Sequence, residues 1–332
     1  MRPTPTWAAS LAAAIGTLLV LAGCVSVTVE TPPAPVAAGP AVAVQTTPVP
    51  LDPADPARTA IGDFRYVGGI ALTSDQTSRL HGLSDLVVTT GGALLAVSDD
   101  GDALEGRLIL DAAGRLSGLA GVTLRPLTGL EGQALQGKQW GDAEGLTVLA
   151  GGERLVSFER EHRIWRYSTA GTRPSPVPMP PVAMADNDGM EGLAAAPTVA
   201  ADAYWVGIEP GGVWLCRLTI ACTEETGLPR PPAGFRLSAL TTGPHGELAI
   251  LHHSYIPGIG SRIALTIVAD PRGARRVIGG FAMSPSSSVD NFEGVSVVAG
   301  ANGDWRIYLI SDDNFSPSQR TLLLAFDWSP PR

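Results

Sequence analysis

One phrase recurs five times along this chain, and it leaves few folds open. An acidic or polar opening leads into an apolar strand, a turn, a second apolar strand and a further polar or acidic cluster. It reads HGLSDLVVTTGGALLAVSDDG at residues 81–101, DAEGLTVLAGGERLVSFEREHRIWRY at 142–167 and GMEGLAAAPTVAADAYWVGIEPGGVWLCRL at 189–218. It returns as FRLSALTTGPHGELAILHHSY at 235–255 and NFEGVSVVAGANGDWRIYLISDDNF at 291–315. With Leu83, Leu146, Leu193, Leu237 and Val295 taken as equivalent, the intervals run from 44 to 63 residues. Units of that size, each with several short strands between GG, PHG and NGD turns, indicate an all-β propeller. No sustained 3.6-residue apolar period follows residue 60, so helices are not expected as main elements. Five blades are counted directly, and the longer intervals leave room for a sixth. A β-sandwich is the alternative, but it would not require an acidic position to recur.

The second repeat shows what a blade contains: an innermost strand at 145–149, a second at 154–158, a third at 163–168 and a proline-rich fourth. After the strand RTLLLAFDW little chain remains for a last fourth strand. The N-terminal FRYVGGIALT, residues 64–73, is expected to fill that place and close the last blade.

Radial closure gathers the repeated ends. The innermost strands line the channel, and the loop after each second strand returns to the rim where the first began. One row there holds Asp85 or His81, Glu144 with Asp142, Glu191 with Asp188, and Glu293 with Asn291. The other holds Asp99 and Asp100, Glu159, Glu209, His252 and His253, and Asp312 and Asp313. Carboxylates facing one funnel repel one another unless protons or a cation compensate. Calcium, which takes six to eight oxygen ligands, is the expected guest. Aspartate also ends strands and makes turns, but glutamate before glycine is a poor turn former, so that role explains the EG openings less well. Glu144, Glu191, Glu293, Asp312, Asp99 and Glu209 are the expected metal ligands. His252, Glu191 and Asp313 are the expected catalytic groups, although strand alternation lets at most one of His252 and His253 face the funnel. Glycine-flanked serine, P-loop and dinucleotide fingerprints are absent.

The 332-residue chain carries a formal net charge of −9 and a single lysine, Lys138, which argues against nucleic acid as partner. Residues 1–23, with Arg2 ahead of an apolar run from Trp7 to Leu21, read as a signal peptide too short to span a membrane. The run ends in LAGC, so Cys24 resembles the lipidated cysteine of a bacterial lipoprotein. Val25 lacks the aspartate that retains such proteins in the inner membrane, so the expected location is the periplasmic side of the outer membrane, anchored by lipid. Residues 24–59, rich in proline and alanine, are expected as an extended tether, and 60–332 as the propeller, a monomer. Cys216 and Cys222 suggest a disulfide in an oxidising compartment, with two buried thiols as the alternative.

The strings GLSDL…LLAVSDDG, DAEGL…RLVSFER, NDGMEGLA and NFEGVSVV…IYLISDDNF resemble the phytase-like family, described by its esterase-like activity, over about residues 64–328. That resemblance implies a bacterial secreted or lipid-anchored propeller that hydrolyses phosphoric or carboxylic esters; it supplies no nucleophile. Alkaline propeller phytases use calcium, an acidic funnel and several lysines or arginines. This chain departs from them in its lysines, leaving Arg160, Arg163, Arg166 and Arg320 to meet an anionic substrate, so phytate itself fits poorly. Arg163 and Arg166 also fit the solvent face of a strand. Metal-assisted hydrolysis of a small-molecule ester is the expected function, with Arg160, Arg163 and Arg320 as substrate contacts. The alternatives are a non-catalytic envelope propeller that binds a partner or glycan, and a calcium-dependent lactonase similar to gluconolactonase and paraoxonase propellers.

Overall fold

Runs such as LAIL at 248–251 and LLLAF at 322–326 are apolar at every position, and every one of these residues is buried. A strand of that kind must be covered on both faces. The computed structural model describes residues 41–169 and 173–331. Five antiparallel sheets stand around one axis as propeller blades, and each innermost strand packs between two others in a closed ring. The signal peptide expected over 1–23, the lipidation site Cys24 and the first part of the expected tether lie outside the described residues.

The first blade consists of Leu83–Val88, Ala93–Ser98, Asp102–Leu110 and Leu116–Pro126. The second is Ala143–Val148, Arg154–Phe158, Arg163–Tyr167 and Ser175–Val177. The third is Gly192–Ala195, Ala203–Gly207, Val213–Arg217 and Ile220–Glu224, with Cys216 and Cys222 joined in a disulfide across its outer hairpin. The fourth is Arg236–Thr242, Leu248–Ile256, Gly260–Ala269 and Arg276–Met283. The last runs Asn291–Ala299, Trp305–Asp312 and Leu322–Trp328, and Phe64–Thr73 then pairs with Leu322–Trp328 to complete it. Among the described residues there is no sixth blade; the longer intervals hold long strands and inter-blade loops.

The expected start at residue 60 is too late. Gln45–Pro48 adds a further strand outside Phe64–Thr73, in register Gln45 with Thr73 and Pro48 with Ile70. Proline is tolerated there because an edge strand need not donate on its outer side. Leu51 is fully buried, and its carbonyl accepts a bond from the Ser288 amide at 2.8 Å. Residues 41–59 are thus part of the propeller rather than a free tether.

Five buried apolar clusters fill the five blade–blade interfaces. The largest lies between the fourth and last blades, where Phe64 stacks on Trp328 at 5.2 Å and meets Phe281 edge-on at 4.9 Å. A polar stitch crosses each interface near the axis. The Leu146 amide donates to Asp85 Oδ2 (2.8 Å), Ser157 Oγ to the Met190 carbonyl (2.6 Å) and Thr242 Oγ1 to the Ala195 carbonyl (2.5 Å). Ser238 Oγ donates to the Phe292 carbonyl (3.3 Å), and the Val88 amide to Ser296 Oγ (2.9 Å).

The register refines the alignment of the repeats. Leu86, Leu146, Leu193, Leu240 and Val295 pair with Ala96, Val156, Val206, Ile250 and Leu309 of their second strands, so they are the equivalent positions. Leu83 and Leu237 stand three residues earlier. Two places before each equivalent position sit Ser84, Glu144, Glu191, Ser238 and Glu293, and between come Asp85, Gly145, Gly192, Ala239 and Gly294. The glycines are there for space: a Cβ on Gly192 would come within 2.8 Å of the Leu240 amide nitrogen, and one on Gly294 within 2.9 Å of the Asp85 Cα. At these glycines the neighbouring innermost strand approaches too closely for a side chain, whereas the first and fourth blades carry Asp85 and Ala239 at the same position.

Asp85 is fully buried and accepts from both the Leu86 and the Leu146 amides at 2.8 Å. Asp85→Ala strands two amides without acceptors, and we expect a loss of about 2–4 kcal/mol. Urea denaturation monitored by tryptophan fluorescence measures it; a midpoint equal to that of the parent would show that the stitch contributes nothing.

Candidate functional site

In the second, third and last repeats a glutamate stands where the innermost strand begins, and in the first and fourth a serine does. In the first, second, fourth and last blades a bulge falls just there: the register slips between Leu83 and Asp85, Ala143 and Leu146, Leu237 and Ala239, and Phe292 and Gly294. The bulge kinks the strand and re-aims the residue it carries. Glu144 and Glu293, carried by bulges, and Glu191, just ahead of the unbulged strand Gly192–Ala195, come together at one mouth of the channel. Burial pushes all three carboxyls well above the usual range, and mutual repulsion adds to it: Glu144 feels Glu191 and Glu293, and Glu293 feels Asp312, Glu191 and Asp99.

The second row completes the ring. Asp99, Glu159 and Glu209 sit opposite Gly82, Asp142 and Gly189, to whose carbonyls their amides bond at 2.9, 2.8 and 3.0 Å. In the same row His253 pairs with Arg236 and Asp312 with Asn291. Burial raises Asp99 to about 6, with Lys138 opposing; it raises Asp312 to about 8, with Asp99 adding repulsion; and it raises Glu159 to about 7, with Asp142 adding repulsion. Ligand oxygens of Asp142, Glu144 and Glu159 all lie within 4.8 Å of one another.

Three cations answer this charge in part. Lys138 Nζ reaches Asp99 Oδ2 at 2.6 Å, Arg160 Nε reaches Asp142 Oδ2 at 2.5 Å, and Arg236 bonds to Glu209 Oε2 at 2.7 Å and to Asp188. Asn291 braces the far side: its Nδ2 donates to Glu293 Oε1 at 2.6 Å, and its Oδ1 lies 3.1 Å from His253 Nδ1. Arg160, Asn314 and Phe315 hold left-handed φ values of 58°, 49° and 52° in the rim turns. Strained backbone of this kind gathers at functional sites. Below the carboxylates, Leu86, Leu146, Leu193, Leu240 and Val295 line a separate cavity of about 200 Å³ toward the opposite mouth.

The predicted residues divide. Asp99, Glu144, Glu191, Glu293 and Asp312 are brought together, with Glu209 at the edge, held by Arg236 and 3.7 Å from His253 Nε2. His252 turns away. Adjacent strand residues alternate, so while His253 meets the ring, His252 is buried beside Leu237 and Ile250 between the third and fourth blades, where burial lowers its pKa to about 4. Asp313 is a latch and not a free base: it ion-pairs with His81 Nδ1 at 2.6 Å and accepts from Thr321 Oγ1 at 2.9 Å and the Gly82 amide at 3.1 Å. Arg163 lies over Phe158 of its own blade at 3.9 Å and bonds to the Trp140 and Glu161 carbonyls. Arg160 lies at the ring, and Arg320 lies beside it, with Nε 3.6 Å from Asp290.

Two ring residues escaped the sequence reading. Lys138, the lone lysine of an acidic chain, stands four residues before the Asp142 that opens the second repeat. Arg236 occupies the place held in the other repeats by Gly82, Asp142, Gly189 and Asn291.

Hard oxygen donors in excess of their counter-charges fit a divalent cation with high oxygen coordination. The titration has a definite sign. Asp99, Glu159 and Asp312 are raised in the folded state, so the unfolded chain ionises first, near pH 4. Their contribution to stability is full below that pH and is lost as pH rises through about 6, 7 and 8. We therefore expect the melting temperature of chelator-treated protein to fall between pH 5 and pH 8 and saturating calcium to flatten that fall. Differential scanning fluorimetry across the series decides, and a calcium-independent profile would count against a cation.

Residues 78–315 match the family model for phytase-like proteins, described as esterase-like activity of phytase. No curated protein sequence matches the chain. Among solved structures, a gluconolactonase from Xanthomonas campestris is similar at 14% identity and a TM-score of 0.45, covering 89% of this chain and 99% of that one. Virginiamycin B lyase from Staphylococcus aureus is similar at 12% identity and a TM-score of 0.39, covering 82% of this chain and 86% of the other.

Proposed function

The chain belongs to the phytase-like family, and on that premise we propose that it is a calcium-dependent hydrolase of phosphoric or carboxylic esters, working at the channel mouth. The observation that carries this reading is the convergence of Glu144, Glu191, Glu293, Asp99 and Asp312, contributed by four blades, into one mutually repelling group in which the two aspartates are buried and the three glutamates half-buried. The three glutamates, Asp99 and Asp312 would hold the cation, with Glu209 at the periphery. When bound, such a cation supplies Lewis-acid polarisation of an ester oxygen and a site for water.

The side chains around it have separable tasks. Glu159, raised to about 7 and within 4.8 Å of Glu144, is poised to take a proton from an attacking water near neutral pH. Arg160 and Lys138, both partly exposed at the rim, can meet the negative charge that develops on the ester oxygens. Asn291 fixes the orientation of Glu293. The proposal includes the placement read from the N-terminal sequence: a monomer lipid-anchored through Cys24 at the periplasmic side of the outer membrane.

The purified chain is to be assayed on p-nitrophenyl phosphate and short-chain p-nitrophenyl esters, with calcium and with chelator. Turnover of at least one substrate, abolished by chelation, is expected. Glu191→Gln and Glu293→Gln are each expected to weaken calcium binding by about tenfold or more while the chain remains folded. Turnover of neither substrate class, or turnover indifferent to the chelator, would remove the proposal.

A further inference from the structure

Beside the carboxylates, between the fourth and last blades, lies a cavity of about 570 Å³. That is within the range of about 300–1,000 Å³ found for small-molecule sites. Two of its walls belong to the ring. Asn291 lines it while its amide donates to Glu293, and Asn314 lines it while its backbone nitrogen donates to Asp312 Oδ1 at 2.7 Å. A molecule seated there touches the carboxylate site through two shared residues.

The lining chemistry narrows what that molecule is. Asp290 and Arg320 are the charged residues among the lining residues, and they balance: Asp290 accepts the Arg320 amide at 3.1 Å, and its carboxylate is 3.6 Å from the Arg320 Nε. A multiply charged phosphate ester would find a single, already paired arginine next to a strongly acidic ring. A long acyl chain would find little apolar wall beyond Pro285 and Val289. The remainder is an array of amides and hydroxyls from Asn314, Gln319, Ser261 and Ser318, with the ring of Tyr255, which is 67% exposed. Amides and hydroxyls both donate and accept, which matches neighbouring hydroxyl groups. An exposed aromatic ring offers an apolar face with a polar tip.

We propose that this cavity binds a neutral, hydroxyl-rich group, the sugar or polyol part of the substrate. That its ester bond then lies over the carboxylates rests on the hydrolase reading above. Calorimetric titration of the full chain with methyl glucoside, methyl galactoside, methyl mannoside and sorbitol tests the cavity without any turnover, in calcium and again in chelator. At least one of the four is expected to bind in both. Tyr255→Ala and Gln319→Ala are each expected to weaken that binding by about fivefold. Ile109→Ala, on an exposed strand away from the cavity, keeps it. A chain that binds a glycoside but cleaves no ester upholds the cavity and rejects the hydrolysis. Binding by none of the four, binding untouched by both substitutions, or inorganic phosphate competing for the cavity overturns the assignment.

Discussion

Like charges held at the narrow mouth of a closed ring of strands govern this molecule. Glu144, Glu191 and Glu293 would be unremarkable on a surface. Here each heads an innermost strand, and the five innermost strands are packed so closely that Gly192 and Gly294 have no room for a Cβ. The backbone holds the carboxyls where they cannot move apart. Protons, Lys138, Arg160 and Arg236 neutralise part of the charge, and the excess that remains is compatible with a metal ion.

That crowding needs a rigid frame. The five apolar clusters between blades supply most of it, and the small polar bridges near the axis set the register of one blade on the next. Asp85 shows the difference between the two uses of a buried carboxyl. It stands one residue along from the ring position, and its oxygens are taken by backbone amides, so it ties blades together. The ring glutamates point into shared space instead. Closure by Phe64–Thr73 removes the open edge, and the His81–Asp313 pair fastens the entry to the first blade against the last.

Much of this was legible in the chain. Recurring EG openings, apolar strand pairs and acidic ends gave the propeller, the ring glutamates and the closing strand. Errors entered where alternation or bulges decide. Leu83 and Leu237 looked equivalent to Leu146, yet the pairing puts Leu86 and Leu240 there, three residues on, because each strand offers two leucines and only the register on the second strand chooses between them. His252 and His253 are chemically identical in sequence, and one step of strand pleat sends the first into the core and the second to the carboxylates. Asp313 looked as free as Asp312 until His81, 232 positions earlier, was found against it.

By itself, the sequence determined the all-β repeat, the closure and the acidic character of one rim, because these follow from period and residue type. Only tertiary structure decided the number of blades, the inclusion of residues 41–59, the partners of Lys138 and Arg236, and the cavity that shares Asn291 and Asn314 with the ring. Each of those depends on which distant segments meet across a blade interface, and a contact between residues far apart in the chain leaves no periodic trace in either stretch.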